Sequence, residues 1–533
     1  MTEWWRDAVI YQIYPRSFQD SDGNGIGDLP GITRRLDHVA QLGVDAIWLS
    51  PIFTSPMKDM GYDVSDYCDI DPLFGTLADF DALVARAHDL GLKVIIDQVL
   101  SHSSDRHPWF AESRQSRDND KADWYVWADP NPDGTPPNNW PSVFGGPAWE
   151  WEPQRRQYYL HNFLIEQPDL NLWNREVQDA LLGTMRFWLD RGVDGFRLDT
   201  VNFYFHDARL RNNPPNPDST APDTYNMQRH VYSKNRPENI AFLKRMRKLT
   251  DAYDARMMVG EIGEGGDTSI RLMAEYTAGS DRLHMCYSFE MLSHAFSAQH
   301  FRHTIEGVQK GAPDAHACWS FSNHDVFRHV TRWLPHAESP DALARQAAAM
   351  LLSFPGTICL YQGEELGQTE TDLVYEELTD PPALRFWPEI KGRDGCRTPM
   401  VWDDSPHGGF STAKPWLPVK APQAARHVKG QLADNDSVLA AYRATLAFRK
   451  SQMLLRRGKT SFLDLPEPIL AFRRDSGDGA LTCVFNLAKT PARLTLSDAA
   501  TLVGPSHAAL SDRVLDLPAN GFAWLDRAVG LSA

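Results

Sequence analysis

Cysteine is scarce in this chain, and what there is lies scattered. Cys68, Cys286, Cys318, Cys359, Cys396 and Cys483 form no CxxC pair and no zinc spacing, which excludes a zinc ribbon or a dithiol redox centre. Most stand in apolar runs, where a reduced thiol behaves as a small hydrophobe. No uninterrupted apolar run is long enough to cross a bilayer. The stretch from Met1 to Asp7 lacks the basic and apolar regions of a secretory leader. These absences predict a soluble, cytoplasmic protein with no membrane partner. Positive charge is in deficit too: 54 lysines and arginines against 70 aspartates and glutamates leave a formal net charge of −16, which argues against nucleic acid as partner. There is no HExxH run. Gly23, Gly25 and Gly27 are spaced GxGxG but open no dinucleotide unit, so no organic cofactor is expected.

What is present is a long alternation of strands and helices. At 533 residues the chain exceeds one hydrophobic core, so two or three domains are expected. Apolar strands are predicted at Val9–Ile13, Ala46–Leu49, Val94–Val99, Gly195–Asp199, Met257–Glu261, Met285–Phe289, Trp319–Asn323 and Thr357–Tyr361. Eight parallel strands separated by helices point to an α/β fold, a (β/α)8 TIM barrel, over a doubly wound open sheet. In one intervening helix Phe80, Leu83, Val84 and Ala87 fall at i, i+3, i+4 and i+7, with Thr76 to cap its start and Gly91 its end. Residues 101–167, rich in Trp, Pro, Gly and Asn, are too long for a βα loop and read as an inserted small domain. The barrel is thus expected over 1–100 and 168–455. Another irregular excursion opens at Asn212 and lasts until helical pattern resumes near Asn239. Residues 456–533 turn to alternating strands and turns and read as a C-terminal antiparallel β domain.

The chemistry gathers at strand ends. In Gly195–Asp199, Arg197 and Asp199 point the same way because strand side chains alternate. A cation beside a carboxylate keeps it ionised. Met257–Glu261 ends in Glu261, and the seventh strand runs into His324 and Asp325. Alone, these read as a structural ion pair, a solvated strand end and a helix N-cap; together and in this order they point to a catalytic site. The loop Asp20–Asp28 places oxygen-bearing side chains at alternate positions among glycines, which is hard-cation chemistry. It is no EF-hand: the twelfth position from Asp20 is Gly31.

These motifs, with Gly61-Tyr62-Asp63, Asp97–His102, Gln167-Pro168-Asp169-Leu170-Asn171 and Gln362-Gly363-Glu364-Glu365, resemble the α-amylase family, glycoside hydrolase family 13, in its oligo-1,6-glucosidase and α-glucosidase branch. The resemblance implies a retaining exo-acting α-glucosidase for short substrates, with possible transglucosylation. Asp199 would be the nucleophile, Glu261 the general acid/base and Asp325 the third carboxylate. Glu261 would then need burial and less cationic support than Asp199. The sugar-binding shell implied is Tyr62, stacking on glucose, with Asp63, His102, Arg197, His324 and Arg393 on its hydroxyls and Phe144 and Phe163 lining the pocket. Arg393 is preferred there to Arg397. Ser101 stands where the family commonly has Asn, which weakens the case for calcium between barrel and insert. Thr200, after the nucleophile, goes in this branch with α-1,4 rather than α-1,6 cleavage. The loop would hold a structural Ca²⁺ or Mg²⁺ through Asp20, Asp22, Asn24, the Ile26 carbonyl and Asp28. The partner implied is a small α-glucoside; the protein is expected as monomer or homodimer. An oligo-1,6-glucosidase and a sucrose isomerase or transglucosidase on the same scaffold are the alternatives.

Overall fold

The computed structural model describes residues 3–221, 223–312 and 314–532. Eight parallel strands follow the predicted positions closely: β1 (Val9–Ile13), β2 (Ala46–Leu49), β3 (Lys93–Gln98), β4 (Gly195–Leu198), β5 (Met257–Ile262), β6 (Met285–Ser288), β7 (Cys318–Trp319) and β8 (Thr357–Tyr361). They form one sheet in the order β6, β5, β4, β3, β2, β1, β8, β7. A parallel bridge between Cys286 and Ala317 joins its two edges, so the sheet closes into a TIM barrel. The alternation of side chains divides the strands cleanly. Ile10, Trp48, Ile95, Val259, Tyr287 and Cys359 meet in an interior cluster, while Tyr11, Ile47, Ile96, Phe196 and Met258 face the helices in a larger one. Strand β7 is shorter than the predicted Trp319–Asn323. Beyond Trp319 the Ser320 hydroxyl donates to the Ser322 carbonyl (2.6 Å), a local bond that competes with ladder pairing.

The helices are set by local signals. Thr76 and Asp79 form a reciprocal capping box on Leu77–Asp89, whose Phe80, Leu83, Val84 and Ala87 are buried. Gly91 follows its end at φ +77°, a left-handed turn that glycine adopts freely. Between β3 and β4 lies a three-stranded antiparallel sheet of Trp127–Ala128, Gln157–Leu160 and Trp149–Glu152, packed on Trp140 and Trp149. Strands from Lys459 onward form antiparallel sheets of five and four strands around Ile469, Val484, Leu494 and Leu515. Among the described residues no helix is long and apolar enough to cross a membrane, and all six cysteines are unpaired.

Candidate active site

Strand register assembles the site. Arg197 on β4 lies beside Asp97 on β3 and Val259 on β5, and Glu261 lies beside Tyr287 on β6. One step past the β4–β5 pairing of Leu198 with Gly260, Asp199 and Glu261 therefore stand side by side at the C-terminal mouth of the barrel. Arg197 is wholly enclosed. Its Nη1 donates to Asp97 Oδ1 (2.8 Å) and Asp199 Oδ1 (2.6 Å), its Nη2 lies 2.7 Å from Glu261 Oε2, and its Nε donates to the Tyr287 hydroxyl (3.1 Å). Thr200 ties the same two acids from the other side. Its backbone N–H donates to Glu261 Oε2 (3.0 Å) and its hydroxyl to Asp199 Oδ2 (3.2 Å). To do so it takes φ +40°, a strained conformation for a β-branched residue, of the kind that collects at functional sites.

Burial raises the pKa of both Asp199 and Glu261, because charge is poorly solvated here. Arg197 opposes that in each, and neighbouring carboxylates reinforce it: Asp97 for Asp199, and Asp199 and Asp325 for Glu261. The expectation that Glu261 would have less cationic support than Asp199 is not met, since one guanidinium serves both. Burial and repulsion do the work instead. Asp325 behaves oppositely. Burial pushes it up, yet His324, Arg393 and Arg397 outweigh this and hold it below the usual carboxylate range. Burial pushes the His324 imidazole down, so near neutrality the lasting support for Asp325 comes from Arg397 Nη2 at 3.1 Å and Arg393 Nη1 at 3.4 Å. Arg197 beside Asp199 predicts a carboxylate kept ionised at an ordinary value, but burial and Asp97 outweigh it and raise the pKa; Asp325 is the acid held anionic, and Glu261 is able to keep a proton.

These groups open onto a cavity of about 840 Å³, to which Tyr62, His102, Phe144, Phe163, Thr200 and Arg393 contribute walls. Tyr62 lies parallel to His324, ring centres 5.4 Å apart, and donates to Asp97 Oδ2 (3.2 Å). Burial lowers His102 to about 4, leaving it neutral, with Nε2 3.0 Å from the Tyr62 carbonyl. Arg197 and His324 do not reach the cavity surface; both are 0% exposed and back the residues that do. Asp63 is a correction. It is fully buried and turned onto its own loop, accepting from Ser55 Oγ (2.9 Å), Lys58 N (2.9 Å) and Asp59 N (3.0 Å). It is not among the residues that line the cavity. Asp59, three residues before Tyr62, stands at the cavity in its stead. It lines the cavity and accepts from Arg393 Nη2 (2.8 Å), whose partner on the far side is Asp380. Arg397 is enclosed and donates to the His324 carbonyl (2.7 Å), so of the two arginines Arg393 alone faces the cavity.

A model of the alpha-amylase catalytic domain matches residues 12–458, and the chain is 58% identical over 494 residues to a probable alpha-glucosidase of Rhizobium meliloti strain 1021, covering 91% of this chain and 90% of that one. The chain belongs to the alpha-amylase family. It is a glycoside hydrolase. An oligo-1,6-glucosidase of Heyndrickxia coagulans is 37% identical over 528 residues, 92% of this chain and 93% of that one. Among solved structures, an alpha-glucosyl transfer enzyme superposes with a TM-score of 0.96 at 53% identity, covering 99% of this chain and all of that one. The trehalulose synthase of Pseudomonas mesoacidophila MX-45 gives 0.89 at 32%, covering 99% of each.

Two further features of this alpha-amylase family member bear on cations. Oxygens of Asp20, Asp22 and Asp28 lie within 4.8 Å of one another, an all-oxygen set that fits a hard divalent ion. The loop is held tightly: Asp20 accepts from the N–H groups of Asp22 (3.0 Å), Gly23 (2.8 Å) and Gly25 (2.8 Å), and a Cβ on Gly25 would fall 2.2 Å from the Lys414 carbonyl oxygen. Ser101, by contrast, is engaged with His102 Nδ1 (2.9 Å) and Thr200 Oγ1 (3.1 Å). Sequence reasoning missed Asp59, Asp97 and Tyr287 as members of the site. Asp97 was visible as an acid inside an apolar strand; Tyr287 and Asp59 carry no local signal, because only register and the distant Arg393 give them partners.

Proposed function

We propose that this enzyme is a retaining, exo-acting α-glucosidase that removes single glucose units from terminal α-linked bonds of short substrates. The observation that carries the reading is the single Arg197 guanidinium shared by Asp199 and Glu261. Two carboxylates tied to one planar cation and one threonine sit close, in keeping with the ~5–5.5 Å separation of retaining pairs rather than the wider gap that admits a water. Asp199 attacks the anomeric carbon while Glu261 protonates the departing oxygen. Glu261 then takes a proton from the incoming water, which releases glucose from the glucosyl-enzyme. Asp325, kept anionic by Arg393 and Arg397, accepts hydrogen bonds from sugar hydroxyls, and Asp59 with Arg393 grips the glucose end.

The roof supports short substrates: the Arg393 guanidinium carbon lies 5.1 Å from the Phe144 ring centre, and Phe144 packs edge-on against Phe163 (5.6 Å). Thr200 inclines the preference to α-1,4 bonds. Transfer to a sugar or alcohol in place of water is a second reading, favoured by the similarity to an alpha-glucosyl transfer enzyme. A structural Ca²⁺ or Mg²⁺ on Asp20, Asp22, Asn24, the Ile26 carbonyl and Asp28 is part of the proposal, as are a cytoplasmic location and a monomer or homodimer. A panel of maltose, isomaltose, sucrose, trehalose and soluble starch tests it. Maltose or sucrose is expected to be cleaved fastest and starch slowly; starch cleaved as fast as maltose would refute the closed pocket.

A further inference from the structure

Two long insertions meet beside the outer half of the cavity, and they are joined by side-chain amides. Among the described residues of 204–238, the excursion after β4 contains no strand or helix apart from a bridge between Pro215 and Gln228, yet Gln228, Arg229, His230 and Val231 line the cavity. A segment of that kind needs bonds from elsewhere to hold one shape. Asn139 of the inserted domain supplies them. Its side chain accepts from Asn213 N–H (2.9 Å) and donates to the Asn213 carbonyl (2.9 Å), pairing with that backbone as a neighbouring strand would. The Asn139 backbone closes the contact, donating to Asn212 Oδ1 (3.0 Å) and accepting from Gln228 Nε2 (2.7 Å). Asn213, 3% exposed, passes the constraint on: Oδ1 accepts from Tyr232 N (2.9 Å), Nδ2 donates to Ser233 Oγ (3.0 Å), and Ser233 Oγ lies 3.1 Å from His230 Nδ1.

We propose that Asn139 and Asn213 are positioning residues for the wall that receives the leaving group and the acceptor. They touch neither the glucose-binding half of the cavity nor the carboxylates. The pair would therefore govern which sugar is accepted beyond the scissile bond while leaving the chemistry at Asp199 and Glu261 alone. Asparagine is needed rather than aspartate at 139 because one end of the side chain must donate to a carbonyl.

The inference rests on the glucosidase reading, and the test separates the two. α-Glucosyl fluoride carries no aglycone, so its hydrolysis reports the glucose site and the carboxylates only; maltose engages the wall as well. Asn139→Asp, at an exposed position, places an oxygen against the Asn213 carbonyl with little change in shape, and Asn213→Ala removes the relay from the other side. The expected result for both is a KM for maltose raised roughly tenfold, the scale of one or two lost hydrogen bonds, a changed ratio of transfer to hydrolysis with maltose as acceptor, and unaltered kcat and KM on α-glucosyl fluoride. An equal loss on both substrates would overturn the inference in favour of a merely structural role. So would unchanged maltose kinetics in both variants. Failure of the unaltered enzyme to hydrolyse α-glucosyl fluoride would instead remove the glucosidase reading, and the inference with it.

Discussion

At the scale of single residues, the site is a contest between burial and one arginine. Arg197 is surrounded by Asp97, Asp199 and Glu261, so each acid gains support from a charge it must share. Replacing Asp199 by Asn or Glu261 by Gln should lower kcat/KM on maltose by at least about 10²–10⁴-fold; near-normal turnover would remove the role given to either. Because Glu261 must hold its proton and its pKa is raised, the rate should fall as pH rises through that displaced value. In Glu261→Gln the residual hydrolysis of α-glucosyl fluoride, which needs no acid, should lose this alkaline limb. Asp59 and Asp63 separate clamp from scaffold. Asp59→Asn should cost about ten- to a hundredfold in kcat/KM, the scale of a charge-assisted bond, with the melting temperature little changed. Asp63→Asn, which weakens three bonds inside one loop, should lower thermal stability more than it lowers kcat at 25 °C. The three acids and Arg197 were legible in the sequence because each lies in, at the end of, or shortly after an apolar strand pattern. Asp63 was misread for a physical reason: it follows Tyr62 directly, but it is buried on its own loop's N–H groups, and the carboxylate that lines the cavity is the earlier Asp59.

At the scale of elements, what could be read was what periodicity and caps encode. The β2 and β8 boundaries and the Thr76 cap came from local pattern alone. What stayed hidden was pairing across distance: the Asn139–Asn213 contact joins two segments with no regular structure, and no spacing announces it. The Asp20–Asp28 loop lies between these cases. Its ligand types are legible in the sequence. If it binds a divalent ion, removing the ion with EDTA should lower the melting temperature by at least about 2 °C, and Asp20→Ala should abolish the difference. An unchanged melting curve would leave the loop as a hydrogen-bonded turn without metal.

At the scale of the whole molecule, three parts serve one opening. The barrel sets the acids by register, the inserted domain contributes Phe144 and Phe163 to the roof, and the excursion after β4 closes the outer wall. The net charge of −16 bears on solubility rather than on catalysis. The central claim is that glucose leaves its bond in two displacements, the first made by Asp199. The most direct test is proton NMR of the sugar released from maltose in the first moments of reaction, before mutarotation. α-Glucose should appear first and decay towards the equilibrium mixture; β-glucose appearing first would mean a single displacement by water and would contradict the account.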